Sequence, residues 1–304
     1  MNTETLTSVA VVGPGAIGTT IAAALHDAGR TPMLCGRTSR DHLTLHDGDR
    51  TITVPGPIHT NPSKVERRAD LVLLAVKATQ THAAKDWLAA LVGPDTVVCV
   101  LQNGVEQLET VAPYLRHVRH VQHDGIVPAV VWFPAQAQSD GSVRLRGDVR
   151  ITVPDTSASR VVARALQGTF CSVELAADFR SLAWRKLLQN AAAGLMALTQ
   201  RRSGMFARSD IARLTLDYLQ ECLAVARAEG AELGDEVPQA ILDKFQAAPA
   251  DMGTSILTDR VAGRPLEWAV RNAIISRRGR IHGIATPISD VLVPLLAAAS
   301  DGPG

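Results

Sequence analysis

Aromatic residues are scarce. Phe, Trp and Tyr make up only 4% of the 304 residues, so alanine, leucine and valine must do most of the packing. Cysteine is also rare: Cys35, Cys99, Cys171 and Cys222 are widely spaced, and no C-x-x-C occurs. Cys99 and Cys222 sit in apolar runs and read as reduced core thiols, which fits a cytoplasmic protein. No excess of one charge exists either. The 31 basic and 30 acidic residues leave a net charge of +1, without the basic stripe of a nucleic-acid binder. No apolar run reaches the roughly 18 residues of a membrane span, so no membrane partner is expected. The polar stretch from Met1 to Ser8 lacks the regions of a signal peptide. The ending Asp301-Gly302-Pro303-Gly304 reads as a frayed tail.

What is present is ordinary globular material, 46% hydrophobic and 20% charged, long enough for about two domains at roughly 100–200 residues each. In the first half, strand-like and helix-like segments alternate. Ser8 to Val12 reads as a strand, Ala16 to Ala28 as a helix closed by Gly29, and Met33 to Cys35 as the end of a second strand. His42 to Val54 alternates around Asp47-Gly48-Asp49, a hairpin pattern. Leu71 to Val76 and Thr96 to Leu101 are continuous apolar runs, as in strands buried on both faces, with a helix predicted over 79–91. This rhythm implies an α/β fold with a doubly wound, mostly parallel sheet. From Ile126 to Val153 strands follow one another without helices and are expected to extend the sheet antiparallel. A short helix (161–166) and a last strand (172–175) follow. Beyond about residue 178, four segments (179–199, 211–228, 238–246 and 266–281) carry helix-spaced apolar residues. The expected division is therefore a sheet domain over 1–177 and an all-helical domain over 178–304.

The strongest local signal is Gly13-Pro14-Gly15-Ala16-Ile17-Gly18. It follows a strand and opens a helix, the context a dinucleotide-binding turn requires. Gly13 permits the tight turn, Gly15 lets backbone N–H groups approach a pyrophosphate, and Gly18 lets the helix pack on the strand. The helix N-terminus offers unpaired donors to the phosphates. An NAD enzyme usually places an acid about 20 residues on. Here the stretch reads Cys35-Gly36-Arg37-Thr38-Ser39-Arg40, with no acid. The Arg37 guanidinium can hold a 2′-phosphate, so NADP(H) is the expected cofactor.

Lys77 and Asn103 each lie just beyond a buried strand, where ligands of open α/β sheets bind. In the helical half, Lys186 and Asn190 are four apart on one helix face. Spacing alone leaves Lys186 open to reading as a solvated charge. Ser255 is open to reading as a helix-start residue, and Glu267 as an acid in a first helical turn. His117, His120 and His123 lack convincing ligand geometry, and no metal is expected.

These segments together resemble the ketopantoate reductase (2-dehydropantoate 2-reductase) family. The likeness runs from Gly13–Gly18 through Val76-Lys77 and Gln102-Asn103-Gly104 to Trp184-Arg185-Lys186-Leu187 with Asn190, then Ser255, Asp259, Gly263 and Glu267. It implies an N-terminal Rossmann domain, a C-terminal helical domain and an active site in the cleft between them. It also implies NADPH-dependent reduction of ketopantoate to pantoate in pantothenate and coenzyme A synthesis, and a homodimer. Lys186 would be the catalytic lysine and Glu267 its acidic companion, the latter also in reach of the cofactor. Asn103, Asn190 and Ser255 would bind substrate or nicotinamide, and Lys77 would lie near the cofactor. Three places depart from the family pattern: Gly194 and Gly204 stand where further Asn contacts are expected, and Pro265-Leu266 rather than the more usual Thr precedes Glu267; Arg201 or Arg202 is a candidate to replace a lost contact to the substrate carboxylate. Two other readings compete: an NADPH-dependent reductase of another small 2-oxo acid, and a non-catalytic NADP-binding sensor.

Overall fold

The computed structural model describes residues 8–116 and 124–302. His117, His120 and His123 therefore lie outside the described residues. The chain divides into two compact units. One comprises the residues up to Gln102 together with 106–179; the other comprises Asn103–Val105 and the chain from Arg180 onward.

The first unit is built on five parallel strands. β1 (Val9–Val12), β2 (Met33–Cys35), β5 (Leu71–Leu74), β6 (Val97–Val100) and β7 (Ile126–Pro128) lie in the order β2-β1-β5-β6-β7. Alternate residues of these strands feed two apolar layers. Val11, Leu71, Leu73 and Cys99 pack on one face with helix α1 (Ala16–Asp27). Val12, Val72, Leu74, Val98 and Val100 pack on the other with α2 (Lys85–Leu91). Burial on both faces explains the unbroken apolar runs of the sequence.

The hairpin forms as expected, with β3 (His42–Asp47) antiparallel to β4 (Arg50–Pro55). Two expectations for this unit are corrected. The segment 79–91 is not one helix. Short 3-10 turns, Ala78–Gln80 and His82–Ala84, precede α2. The Thr81 hydroxyl donates to the Ala78 carbonyl (3.0 Å) and accepts from Gln102 Nε2 (3.0 Å), a local bonding pattern that competes with helix. The strands after Ile126 do not extend the sheet antiparallel. β7 joins it in parallel, and the others build two further sheets. β8 (Val130–Val131) and β12 (Cys171–Ala176) flank β11 (Val149–Pro154). β9 (Ala135–Ala137) pairs with β10 (Val143–Leu145), which runs parallel to β3. Pro134, without an N–H for a ladder, stands between β8 and β9. α3 (Gln107–Val111) and α4 (Ser157–Leu166) complete the unit.

The second unit is helical: α5 (Phe179–Thr199), α6 (Ser209–Ala228), α7 (Val237–Ala247), α8 (Ser255–Val261), α9 (Ile274–His282) and α10 (Pro287–Asp301). α5 is buried on every side from Asn190 to Ala197, and its alanines and Gly194 allow the close packing that few aromatics impose. The helix expected over 266–281 is interrupted: a widened π turn, Ala269–Ala273, precedes α9. The α10 helix reaches Asp301, which the sequence assigns to the tail; Pro294 inside it masks the helical pattern. Its start is held by Glu221 of α6, whose carboxylate accepts from the Ile288 and Ser289 N–H groups (2.8 and 2.9 Å) and from the Ser289 hydroxyl. Among the described residues no helix is long and apolar enough to cross a membrane.

All four thiols are buried and unpaired with one another. Burial pushes Cys35 and Cys171 up to about 12 and raises Cys99 and Cys222 as well. With the first two near 12, only about 10⁻⁴ of each is thiolate at pH 8, and the thiolate is the reactive form. Ellman's reagent at pH 8 is expected to react with none of the four in the native protein within minutes, and with all four once guanidinium unfolds it. A fast native equivalent would contradict this burial.

Candidate active site

The glycine turn separates its three glycines by what demands them. Gly13 has φ +91°, a left-handed backbone that favours glycine. A Cβ there would also lie 2.5 Å from Val76 Cγ1, and one on Gly18 would lie 2.4 Å from the Gly13 carbonyl oxygen. The protein's own packing requires both. Gly15 differs: a Cβ on it would meet no protein atom within 4 Å. Its openness, at the N-cap of α1, leaves the backbone face a pyrophosphate would need. Pro14, Ala16 and Ile17 complete the turn, with the Thr19 hydroxyl donating to the Pro14 carbonyl (3.2 Å).

The loop after β2 abuts this turn. The Gly13 N–H donates to Cys35 O (2.9 Å), and a Cβ on Gly36 would touch Pro14 Cδ at 3.1 Å. Arg37 follows, exposed. The neighbouring Arg40 donates to the Gly141 carbonyl (3.0 Å). Lys77 lies three residues beyond the end of β5, half-buried, where a short 3-10 turn begins. β5 is the parallel neighbour of β1, so Lys77 and the glycine turn both follow the carboxyl ends of adjacent strands.

The helical unit gathers the remaining residues. Asn103 belongs here: the segment Asn103–Val105 clusters with this unit although Gln102 and Glu106 do not. Its carbonyl oxygen accepts from Asn190 Nδ2 (3.3 Å), and its Nδ2 donates to Glu267 Oε2 (3.0 Å). Gly104, at φ +112°, lets the segment approach Val270, whose Cβ would stand 3.3 Å from an added Cβ. Glu267 is 5% exposed and stands two residues before the π turn, separated from it by Trp268. The same oxygen of Glu267 accepts from Arg271 (2.9 Å), itself 2% exposed. That guanidinium also donates to the Ser255 hydroxyl (3.1 Å). Lys186, half-buried, stands on α5 one turn before Asn190, so the two share a face.

Arg271 and Asn272 escape the sequence reading. A signal existed for Arg271: it lies four residues after Glu267 on one helical face, the spacing of an ion pair. Its burial did not follow from that spacing. Asn272 explains the departure at Gly194. Its Nδ2 donates to Ala191 O (3.0 Å) and Tyr218 Oη (3.1 Å), and it would lie 2.7 Å from a Cβ at Gly194. An amide from α9's side of the unit thus fills the space a residue-194 side chain would take. Gly204 packs equally tightly: its N–H donates to Ala250 O (2.9 Å), and an added Cβ would meet that residue's Cβ at 3.1 Å. Arg202 donates to the Asp251 carbonyl (2.7 Å) and so braces the same loop.

Comparison with known proteins follows this division. The family model for ketopantoate reductase PanE/ApbA matches residues 9–158, and the model for its C terminal matches residues 178–300. The chain is 54% identical over 299 residues to a 2-dehydropantoate 2-reductase of Mycobacterium tuberculosis, covering 98% of this chain and 99% of that protein. It is 37% identical to a 2-dehydropantoate 2-reductase of Caulobacter vibrioides, covering 97% of this chain and 100% of that protein. A solved dimeric ketopantoate reductase of Staphylococcus aureus superposes with a TM-score of 0.86 at 28% identity, covering 98% of this chain and 100% of that one.

The contact at Gly194 has a measurable consequence. Gly194→Asn should destabilise the protein by about 1–3 kcal/mol, the usual penalty of overpacking, read as a lowered urea midpoint at unchanged slope. Gly194→Asn with unaltered stability would mean that Asn272 yields its place.

Proposed function

We propose that this chain, which belongs to the ketopantoate reductase PanE/ApbA family, reduces the ketone of 2-dehydropantoate to the alcohol of pantoate with NADPH. The observation that carries the reading is the array of Asn190, Asn103 and Glu267 joined side chain to side chain, with Lys186 one helical turn away on the face of Asn190. When bound, the reduced nicotinamide supplies a hydride to the ketone carbon. Gly13–Gly18 binds its pyrophosphate, Arg37 its 2′-phosphate, and Lys77 lies at the same carboxyl end of the sheet. The ketone oxygen then gains negative charge. The Lys186 ammonium stabilises that charge and donates the proton. Asn103 and Asn190 supply amide hydrogen bonds to substrate or nicotinamide, and Ser255 supplies a hydroxyl. Glu267, held by Asn103 and Arg271, orients the ammonium and reaches the cofactor. The dimeric Staphylococcus aureus relative supports assembly as a homodimer, and the biosynthetic role supports a cytoplasmic setting.

Asn272 standing where a residue-194 side chain would lie favours a second reading, reduction of another small 2-oxo acid by the same residues. Loss of NADPH absorbance with 2-dehydropantoate and a panel of 2-oxo acids separates the two. Turnover of 2-dehydropantoate at the highest kcat/KM is expected, and a higher value for another 2-oxo acid would transfer the assignment. Lys186→Ala should lower kcat by about 10²–10⁴-fold, the range for loss of a general acid; full activity would remove Lys186 from the mechanism. Arg37→Ala should raise the KM for NADPH while leaving that for NADH in place, and an unchanged preference would locate 2′-phosphate recognition elsewhere.

A further inference from the structure

The Arg271 guanidinium is the most deeply buried charge of the site, and its surroundings are lopsided. One terminal nitrogen donates both to Glu267 Oε2 (2.9 Å) and to the Ser255 hydroxyl (3.1 Å). Its Nε is buried without a hydrogen-bond partner among the described residues. Such an unmatched donor carries a desolvation cost, so packing alone is a poor reason for an arginine here. Glu267 balances its charge, which leaves it poorly suited to bind a substrate anion directly. At 2% exposure it also lies behind the exposed Ser255. What the guanidinium imposes is direction. Arginine has donors only, whereas a serine hydroxyl has one proton and two lone pairs. A hydroxyl oxygen that accepts from Arg271 keeps its proton for something else, and no acceptor among the described residues takes it. Ser255 has no capping duty either, because Thr254 is the N-cap residue of α8.

We infer that Arg271 sets the hydrogen-bond direction of Ser255, committing that hydroxyl's proton to the carboxylate of the bound 2-oxo acid. This rests on the proposed function for the class of substrate. Arg271 is then a positioning residue with two separable effects: through Ser255 it governs KM for the 2-oxo acid, and through Glu267 it governs kcat.

A double-mutant cycle tests this in the full chain with NADPH and the 2-oxo acid that the unmodified protein turns over. Ser255→Ala should raise KM by about 10–100-fold, the worth of one hydrogen bond to a charged group, with kcat changed by less than about threefold. Arg271→Met should raise KM comparably and lower kcat. In the Ser255→Ala background it should lower kcat again but leave KM where Ser255→Ala put it, as expected of residues acting through one contact. Arg271→Lys, still a pure donor, should restore part of the KM. Additive KM effects would overturn the inference while leaving the proposed function intact. An unmodified protein inactive on every 2-oxo acid would overturn both. If circular dichroism shows that Arg271→Met does not fold, Arg271→Gln decides, because its amide can both accept and donate. Arg271→Gln should raise KM in the parent but not further in the Ser255→Ala background. An Arg271→Gln variant that keeps the parent's KM, or that raises KM equally in both backgrounds, overturns the proposal.

Discussion

The helical unit is organised around one ion pair. Arg271 and Glu267 meet at 2.9 Å with 2% and 5% of their side chains exposed; Asn103 is fastened to Glu267 and Ser255 to Arg271, and Asn190 joins through Asn103. Removing one member of such a pair leaves a buried charge uncompensated, typically at about 3–5 kcal/mol, whereas replacing both with apolar groups is often neutral. Stability therefore gives little reason for its presence. Its effect is on arrangement: the carboxylate brings in Asn103, which brings in Asn190, and the guanidinium brings in Ser255. The π turn that carries Arg271 belongs to the same device. Widened turns of this kind recur at functional sites, and here Arg277 donates to the Ala269 carbonyl at 3.2 Å.

The same unit shows why position 194 has no room for a side chain. Gly194 carries no side chain, and the Asn272 amide occupies the space beside it, bonded to Ala191 O and Tyr218 Oη. A reading of position 194 alone registers a lost polar contact. Packing shows a small residue making room for an amide 78 positions later.

Legibility in the sequence tracked how local each determinant was. The glycine turn, the two unbroken apolar strands, the β3–β4 hairpin and α5 all rest on patterns confined to a dozen or so residues, and each is found where its pattern lies. The distribution of the later strands among three sheets was not legible, because pairing partners such as β3 and β10 are nearly a hundred residues apart and every short strand offers similar edges. α10 was hidden by Pro294, and the 78–84 turns by a Thr81 hydroxyl whose second partner, Gln102, is remote. In the site, the resemblance named Asn103, Asn190, Ser255 and Glu267. Arg271, which joins two of them, could be seen only as a charge four residues from an acid. Burial is a property of the packed unit, and spacing does not encode it.

The excursion of Asn103–Val105 has a consequence for how the molecule can be dissected. The backbone passes between the two units at 102/103, at 105/106 and again at 179/180. No single cut in the backbone yields two self-sufficient modules. A fragment starting at Arg180 would lack the amide that grips Glu267, and one ending at Phe179 would retain three residues stripped of their neighbours. The units are compact in space yet interlaced in sequence, so gene fusion or domain exchange at one junction would sever the site it was meant to transplant.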